Sequence, residues 1–309
     1  MIPYILLVLG LSLLLVGGKT LVDGASAIAA RLGLSAGLIG LTIVAFGTSA
    51  PELLVCVTAA LKGNSDIAVG NVVGSNIANI TLVLGITGLV FPVVITPSIL
   101  RMDYTFTMIT TVLFFLLALN GVISFVEGLV LVTLFVLVNM YFFKKIGRVE
   151  ISDEETVQLK KKSVWISIGY VLLGVGGLYL GSELFVENGV IIATSLGVSE
   201  RIIGITVIAV GTSLPELITS VIAAIKKETD IAIGNVLGSN MMNILSIIGI
   251  TALVRPIPIS ADFIYNDFIW MIAFTAILFP LMRIRYAISR IDGGILLVGY
   301  AVYIFFLLW

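Results

Sequence analysis

Two carboxylates stand where a hydrophobic sequence has little use for charge. Glu52 lies in "GTSAPEL" from Gly47 to Leu53, and Glu216 in "GTSLPEL" from Gly211 to Leu217, each inside long apolar runs. Each follows a threonine, a serine and a proline at the same spacing. A carboxylate at bilayer mid-depth costs at least about 2.5 kcal/mol, so something must offset it. Two further polar blocks accompany them, "GNVVGSNIANI" (Gly70 to Ile80) and "GNVLGSNMMNI" (Gly234 to Ile244). Carboxylates, hydroxyls, amides and backbone carbonyls make a hard oxygen donor set, which suits Ca²⁺ or several Na⁺ ions. The chain has no histidine and a single cysteine, Cys56. That excludes His-ligated zinc, haem bound through histidine, Ser–His–Asp hydrolysis and an intrachain disulfide.

The elements that must position these groups follow from composition. The chain has 309 residues, 59% hydrophobic and 11% charged, with a mean hydropathy of +1.20. A soluble domain carries about 25% charged residues. Long apolar runs without strict alternation predict a polytopic, all-α membrane protein and argue against a β-barrel. The start, "MIPYILLVLGLSLLLVGG", lacks a basic leader and reads as the first transmembrane helix rather than a cleaved signal peptide. A net charge of −1 gives no sign of a nucleic-acid partner. Apolar run length predicts ten helices, near 3–29, 36–62, 67–92, 104–120, 123–144, 163–190, 199–226, 231–255, 263–283 and 287–309.

The chain also repeats itself. Gly33–Val90 aligns with Gly197–Val254 without a gap, at an offset of 164, with about 32 identities in 58 positions. Five helices per copy is an odd number, so the second copy must enter the membrane from the opposite side. Placing both termini outside puts thirteen basic residues, among them Arg31, Arg101, Lys226 and Arg283, on inner segments. Only Lys62, Arg201 and Arg255 fall on outer ones, a strong positive-inside bias. The expected organisation is a first five-helix repeat over 1–145 (motif region 33–90), a solvated cytoplasmic linker over 146–162, and a second, inverted repeat over 163–309 (motif region 197–254). Lys19 and Asp23 stand at i, i+4 and are expected to pair.

Local readings exist for each block. Ser49-x-x-Glu52 and Ser213-x-x-Glu216 fit a capping box, with Pro51 and Pro215 in a first helical turn. Gly70 and Gly74, like Gly234 and Gly238, fit close helix packing. Neither reading explains a helix broken inside the bilayer, which is tolerated only where it lines a site. Matching interruptions in two halves point to a transport site at the repeat interface. A pseudo-two-fold axis between inverted halves would bring Glu52 and Glu216 together.

The paired "GTSxPE" and "GNVxGSN" blocks resemble the α-repeats of the sodium/calcium exchanger family, a branch of the Ca²⁺/cation antiporter superfamily, in its compact prokaryotic type. The resemblance covers nearly the whole chain. It implies an antiporter, not an enzyme, with no cofactor, that exchanges Ca²⁺ for Na⁺ by alternating access in a prokaryotic plasma membrane. A monomer in the lipid bilayer, with both termini outside, is expected. It implies Glu52 and Glu216 as central carboxylates and oxygens from Thr48, Ser49, Thr212 and Ser213. Carbonyls of Ala45 and Ala209 join them, with Ser75, Asn79, Ser239 and Asn243 completing the cage. Asn71, Asn76, Asn235 and Asn240 are expected to support the helix breaks. It also implies that helices 3–29 and 163–190 slide over the other eight. One departure stands out: many members carry an aspartate where this chain has Asn243, opposite an asparagine equivalent to Asn79. The rival readings are a cation/H⁺ antiporter of the same superfamily and a cation channel.

Overall fold

The computed structural model describes residues 1–145, 164–197 and 209–308. Its elements are almost all helical. Helix α1 (Ile2–Leu32) starts at a proline and ends where Gly33 turns left-handed, with φ 64°. Helices α2 (Ala36–Thr48) and α3 (Ala50–Leu61) form one span bent by 46°. The bend falls at Ser49, just ahead of Pro51, which lacks the N–H a continuous helix would need. Then follow α4 (Ser65–Val90), α5 (Ile99–Ala118), α6 (Phe125–Lys145) and α7 (Val164–Ser195). The chain continues through α8 (Ala209–Thr212), α9 (Leu214–Ile225), α10 (Thr229–Val254), α11 (Phe263–Arg285) and α12 (Arg290–Leu308). Eight helices are long and apolar enough to cross a membrane, and the bent pair makes nine among the described residues. Part of the helix expected over 199–226 lies outside the described residues, as does the linker expected over 146–162; α8 and α9 occupy the described part of the former.

Two expected boundaries change. The fourth expected helix, here α5, begins at Ile99 rather than 104, through a π-helical turn over Ile99–Asp103, so Arg101 and Asp103 become helical and Asp103 is buried. The "GNV" blocks do not break their helices. Instead α4 and α10 run through them and absorb the irregularity as π turns at Asn79–Val83 and Asn243–Ile248.

α4 and α10 are the most deeply buried spans. They anchor the larger apolar core, with Ile77, Val236, Leu237 and Ile247 packed near Phe114 and Phe268. A second, smaller core joins α1, α7 and α9 through Leu14, Leu21, Val22, Leu178 and Leu214. In α1 and α7 the contacts run antiparallel, with Gly10 against Gly181, Gly17 against Gly174, and Gly24 against Ser167. Backbone touches backbone there: a Cβ on Gly17 would sit 2.9 Å from the Gly174 carbonyl oxygen. Large apolar side chains such as Val8, Val16, Trp165, Leu172 and Leu173 lie exposed on the outside of these two helices, as a lipid-facing surface requires.

Two antiparallel ladders of two residues each fasten the ends. β1 (Val93–Val94), after α4, pairs with β4 (Ala287–Ile288), before α12. β3 (Ile257–Pro258), after α10, pairs with β2 (Val122–Ile123), before α6.

The expected Lys19–Asp23 pair does not form. Asp23 Oδ1 lies 2.5 Å from Lys226 Nζ, because α1 packs against the end of α9 and brings a second lysine in. Both side chains are partly exposed, so the pair is worth at most about 1 kcal/mol.

Close packing at the second glycine pair is strict. A Cβ on Gly238 would stand 2.4 Å from the Leu41 carbonyl oxygen, and one on Gly234 2.7 Å from that of Gly37. Gly238→Val is therefore expected to destabilise the protein by roughly 1–3 kcal/mol. Gly294→Ala, with open space at its Cβ, should leave the midpoint unchanged or raise it. Thermal unfolding in detergent, followed by tryptophan fluorescence, checks both.

Candidate functional site

The bend between α2 and α3 and the matching junction between α8 and α9 bring the two "GTSxPE" blocks face to face. Glu52 and Glu216 are almost completely buried, at 1% and 0% exposure. Ser49, three residues before Glu52, reaches Glu216 directly, which sets both carboxylates in one polar cluster. Ser49 Oγ donates a hydrogen bond to Glu216 Oε1 across the halves, at 2.9 Å. Ser239 Oγ approaches the same oxygen at 3.5 Å. The capping-box reading therefore fails: neither Ser49 nor Ser213 caps its helix with its side chain. The Ser49 hydroxyl is taken by a carboxylate from the other half.

Thr48 Oγ1 donates to Asn235 Oδ1 at 3.1 Å and lies 3.5 Å from Ser239 Oγ. Asn235 Nδ2 in turn donates to Ser220 Oγ at 3.0 Å and to the Glu216 carbonyl at 3.3 Å. Asn235 thus supports the start of α9, as expected. The Ala45 carbonyl accepts from the Ser49 N–H at 3.0 Å, and Thr48 Oγ1, whose proton goes to Asn235, lies 3.3 Å from it, so one lone pair of this carbonyl keeps no donor of its own. The carbonyls that proline releases are those of Gly47 and Gly211, four residues before Pro51 and Pro215. Ser182 Oγ donates to the Gly211 carbonyl at 2.8 Å.

From the second blocks, two reciprocal hydrogen bonds join α4 to α10. Asn79 Nδ2 donates to Asn240 Oδ1 at 3.1 Å, and Asn243 Nδ2 to Asn76 Oδ1 at 3.3 Å. Asn240 also donates to the Asn76 carbonyl at 3.2 Å. Asn76 and Asn240 therefore clamp one helix to the other rather than supporting a break. This arrangement leaves the acceptor oxygens of Asn79 and Asn243 unused.

The decisive feature is what lacks a partner. Both oxygens of Glu52, Oε2 of Glu216, Oδ1 of Asn79 and of Asn243, and Oγ of Ser213 are all buried without a hydrogen bond. Native interiors leave few buried polar atoms unpaired. Here six of them belong to the four motif blocks. Ser75 and Ser239 are buried on α4 and α10 in the same blocks. Thr212 is less enclosed, and it lines a cavity of about 340 Å³ with Asn71, Asp267 and Tyr303. Of Ala209 only its place at the start of α8 is described.

Several contributors escaped the sequence reading. Ser220 and Cys56 occupy equivalent repeat positions and hold Asn235 and Asn71 respectively, the latter at 3.3 Å to sulfur. Ser182 belongs to a glycine-rich helix and carried no motif. The offset of 164, applied to every polar residue, was the signal that would have found the first pair.

The family model described as "Sodium/calcium exchanger protein" matches residues 2–144 and 166–309. The chain belongs to the sodium/calcium exchanger family. It is 32% identical over 345 residues to sodium/calcium exchanger MaX1 of Methanosarcina acetivorans, with 98% of this chain and 97% of that one covered. It is 32% identical over 318 residues to inner membrane protein YrbG of Escherichia coli, covering 98% and 96%. Its fold is similar to the solved structure of sodium-calcium exchanger NCX_Mj soaked with 2.5 mM Na⁺ and 0.1 mM Ca²⁺, with a TM-score of 0.86, 29% identity and 98% of each chain covered. It is a multi-pass membrane protein of an ion-exchanger family, as its helices and relatives agree.

A buried carboxylate without a partner destabilises the fold until a cation or a proton joins it. Glu52→Gln is expected to raise the thermal midpoint of the cation-free protein. A cation that binds only the folded form should raise the wild-type midpoint, by about 2.7 kcal/mol equivalent at a hundredfold excess over Kd. In the Glu52→Gln, Glu216→Gln double variant that rise should be much smaller. Melting curves with and without Ca²⁺ check all three.

Proposed function

We propose that this protein exchanges Ca²⁺ for Na⁺ across the membrane, with both ions competing for one set of oxygens at Glu52 and Glu216. The observation that carries the reading is the group of six buried, unpaired oxygens drawn from all four motif blocks. Their number, hardness and shared burial suit Ca²⁺ or two Na⁺, since two carboxylates balance either load. The ligands are Glu52, Glu216, Ser49, Thr48, Ser213, Thr212, Ser75, Ser239, Asn79 and Asn243, with main-chain oxygen from Ala45 and Ala209.

The proposal takes the chain as two inverted five-helix repeats, ten spans in all, with both termini outside. Supporting this are the antiparallel glycine contacts of α1 and α7, which map onto themselves at the sequence offset: Gly10 with Gly181 becomes Gly174 with Gly17. The two asparagine bonds between α4 and α10 interchange in the same way. Each end ladder also matches the other, joining the segment after one motif helix to the turn before the last helix of the other half. Alternating access is assigned to α1 and α7 moving as a pair over the remaining helices. Their glycine-lined contact is what recommends them.

The test is Ca²⁺ uptake into proteoliposomes driven by an outward Na⁺ gradient, with proton gradient and membrane potential varied separately. Glu52→Gln and Glu216→Gln should each lower uptake at least about tenfold, equivalent to about 1.4 kcal/mol. Normal transport in both variants would remove the site assignment, and uptake that follows pH and ignores Na⁺ would favour the proton antiporter. Asn243→Asp adds a third carboxylate to the cage. It is expected to raise the number of Na⁺ ions moved per Ca²⁺, read as a change in the reversal potential of uptake.

A further inference from the structure

A second acidic place lies away from the central pair. A cavity of about 280 Å³ opens between the loop before α2, the start of α5 and the first turn of α10. Its polar lining is Ser35, Thr96, Ser98, Asp103 and Asp230. No basic side chain lines it among the described residues.

Asp103 is 5% exposed, and its Oδ1 is buried without a hydrogen-bond partner. The repeat offers a direct comparison. The residue equivalent to Asp103 at the offset of 164 is Asp267, and there the Tyr303 hydroxyl donates to the carboxylate at 3.0 Å. The residue equivalent to Tyr303 is Asn139, whose amide donates instead to the Phe135 carbonyl at 2.8 Å. One half of the molecule satisfies this carboxylate from within, and the other leaves it facing a cavity beside a second carboxylate. Burying an unpaired carboxylate costs several kcal/mol, so a structure that retains one holds it for a counter-charge.

We propose that the Asp103–Asp230 cavity is a second cation site, which takes a partly hydrated divalent cation of the Ca²⁺ type. Two carboxylates supply the charge. The Ser35 and Thr96 hydroxyls each accept one backbone N–H, from Leu38 at 3.1 Å and Ile99 at 3.4 Å, and each keeps a lone pair for a ligand or its water. The volume leaves room for part of a hydration shell, which Ca²⁺ sites tolerate. The site is separate from the central one. Asp230 and Ser239 share α10 nine residues apart, about 13 Å along the axis. Between these levels Thr107, one turn on from Asp103, donates to the Asp103 carbonyl at 2.8 Å and lies 3.4 Å from the Leu237 carbonyl of α10. Acidic walls raise the local concentration of cations. On the exchanger reading proposed above, the site loads or receives the transported cation at one face of the protein.

Calorimetric titration with Ca²⁺, on the purified full chain in detergent, tests binding apart from transport. The Glu52→Gln, Glu216→Gln protein is expected to keep one Ca²⁺-binding event, which adding Asp103→Asn removes. In proteoliposomes, Asp103→Asn alone should raise the KM for Ca²⁺ about three- to tenfold and leave the maximal rate within about twofold. Asp230→Asn should give the same pattern and serves if Asp103→Asn does not fold. The proposal is overturned if the central double variant binds no Ca²⁺, or if both aspartate variants leave its binding and the wild-type KM unchanged. If the glutamate variants transport normally while the aspartate-dependent binding persists, the central-site assignment falls and the cavity site stands; if the wild type shows no Na⁺-driven uptake, the exchanger reading falls and the calorimetric site still stands.

Discussion

A carboxylate pair sealed from water is the constraint on which the rest of this structure depends. Glu216 reaches one hydroxyl of the opposite half, Ser49, and Glu52 reaches none. Charge held this way is tolerable only if something positive visits it. The bent α2–α3 span, the proline-released carbonyls and the asparagine clamps all serve to hold oxygen around that pair while keeping lipid and bulk water out. The two central helices, α4 and α10, are buried so deeply because they form the wall against which it is built.

The symmetry of that wall is imperfect in an instructive way. The Asn79–Asn240 and Asn243–Asn76 bonds are equivalent under the repeat, and so are the contacts of Asn71 with Cys56 and of Asn235 with Ser220. The groups nearest the carboxylates are not. Ser49 is engaged and its counterpart Ser213 is not; Asp267 has a tyrosine and its counterpart Asp103 does not. Scaffold contacts follow the duplication, and the chemistry departs from it.

Much of this was legible before any coordinates. Run length sufficed for most spans, because a membrane helix needs only length and apolarity. The two GTSxPE blocks pointed to a pair of carboxylates inside the apolar runs, and both are buried in the fold. What the sequence could not convey was direction. Ser49 and Glu52 fit a local cap by spacing, yet the serine bonds a residue 167 positions away. Lys19 fits Asp23 by spacing, yet Lys226 takes it. Local periodicity names the neighbours on one helix and is silent about which helix packs beside it. The π turns at Asn79 and Asn243 were equally hidden, because one extra residue in a turn changes no composition.

The seam between α1 and α7 carries a mechanical consequence. Most helix pairs interlock, side-chain ridges seated in grooves, and a shift along the axis must climb from one seat to the next. Here glycine meets backbone at three successive levels, so the two helices lie in direct backbone contact. Contact this close ties the two helices into one strut, stiff across its width. The corrugation that would hold such a strut in place must then come from elsewhere. The partly exposed Asp23–Lys226 contact is a weak detent, close in scale to thermal energy. On the exchange cycle proposed above, where the strut rests is left to whatever occupies the oxygens beneath it.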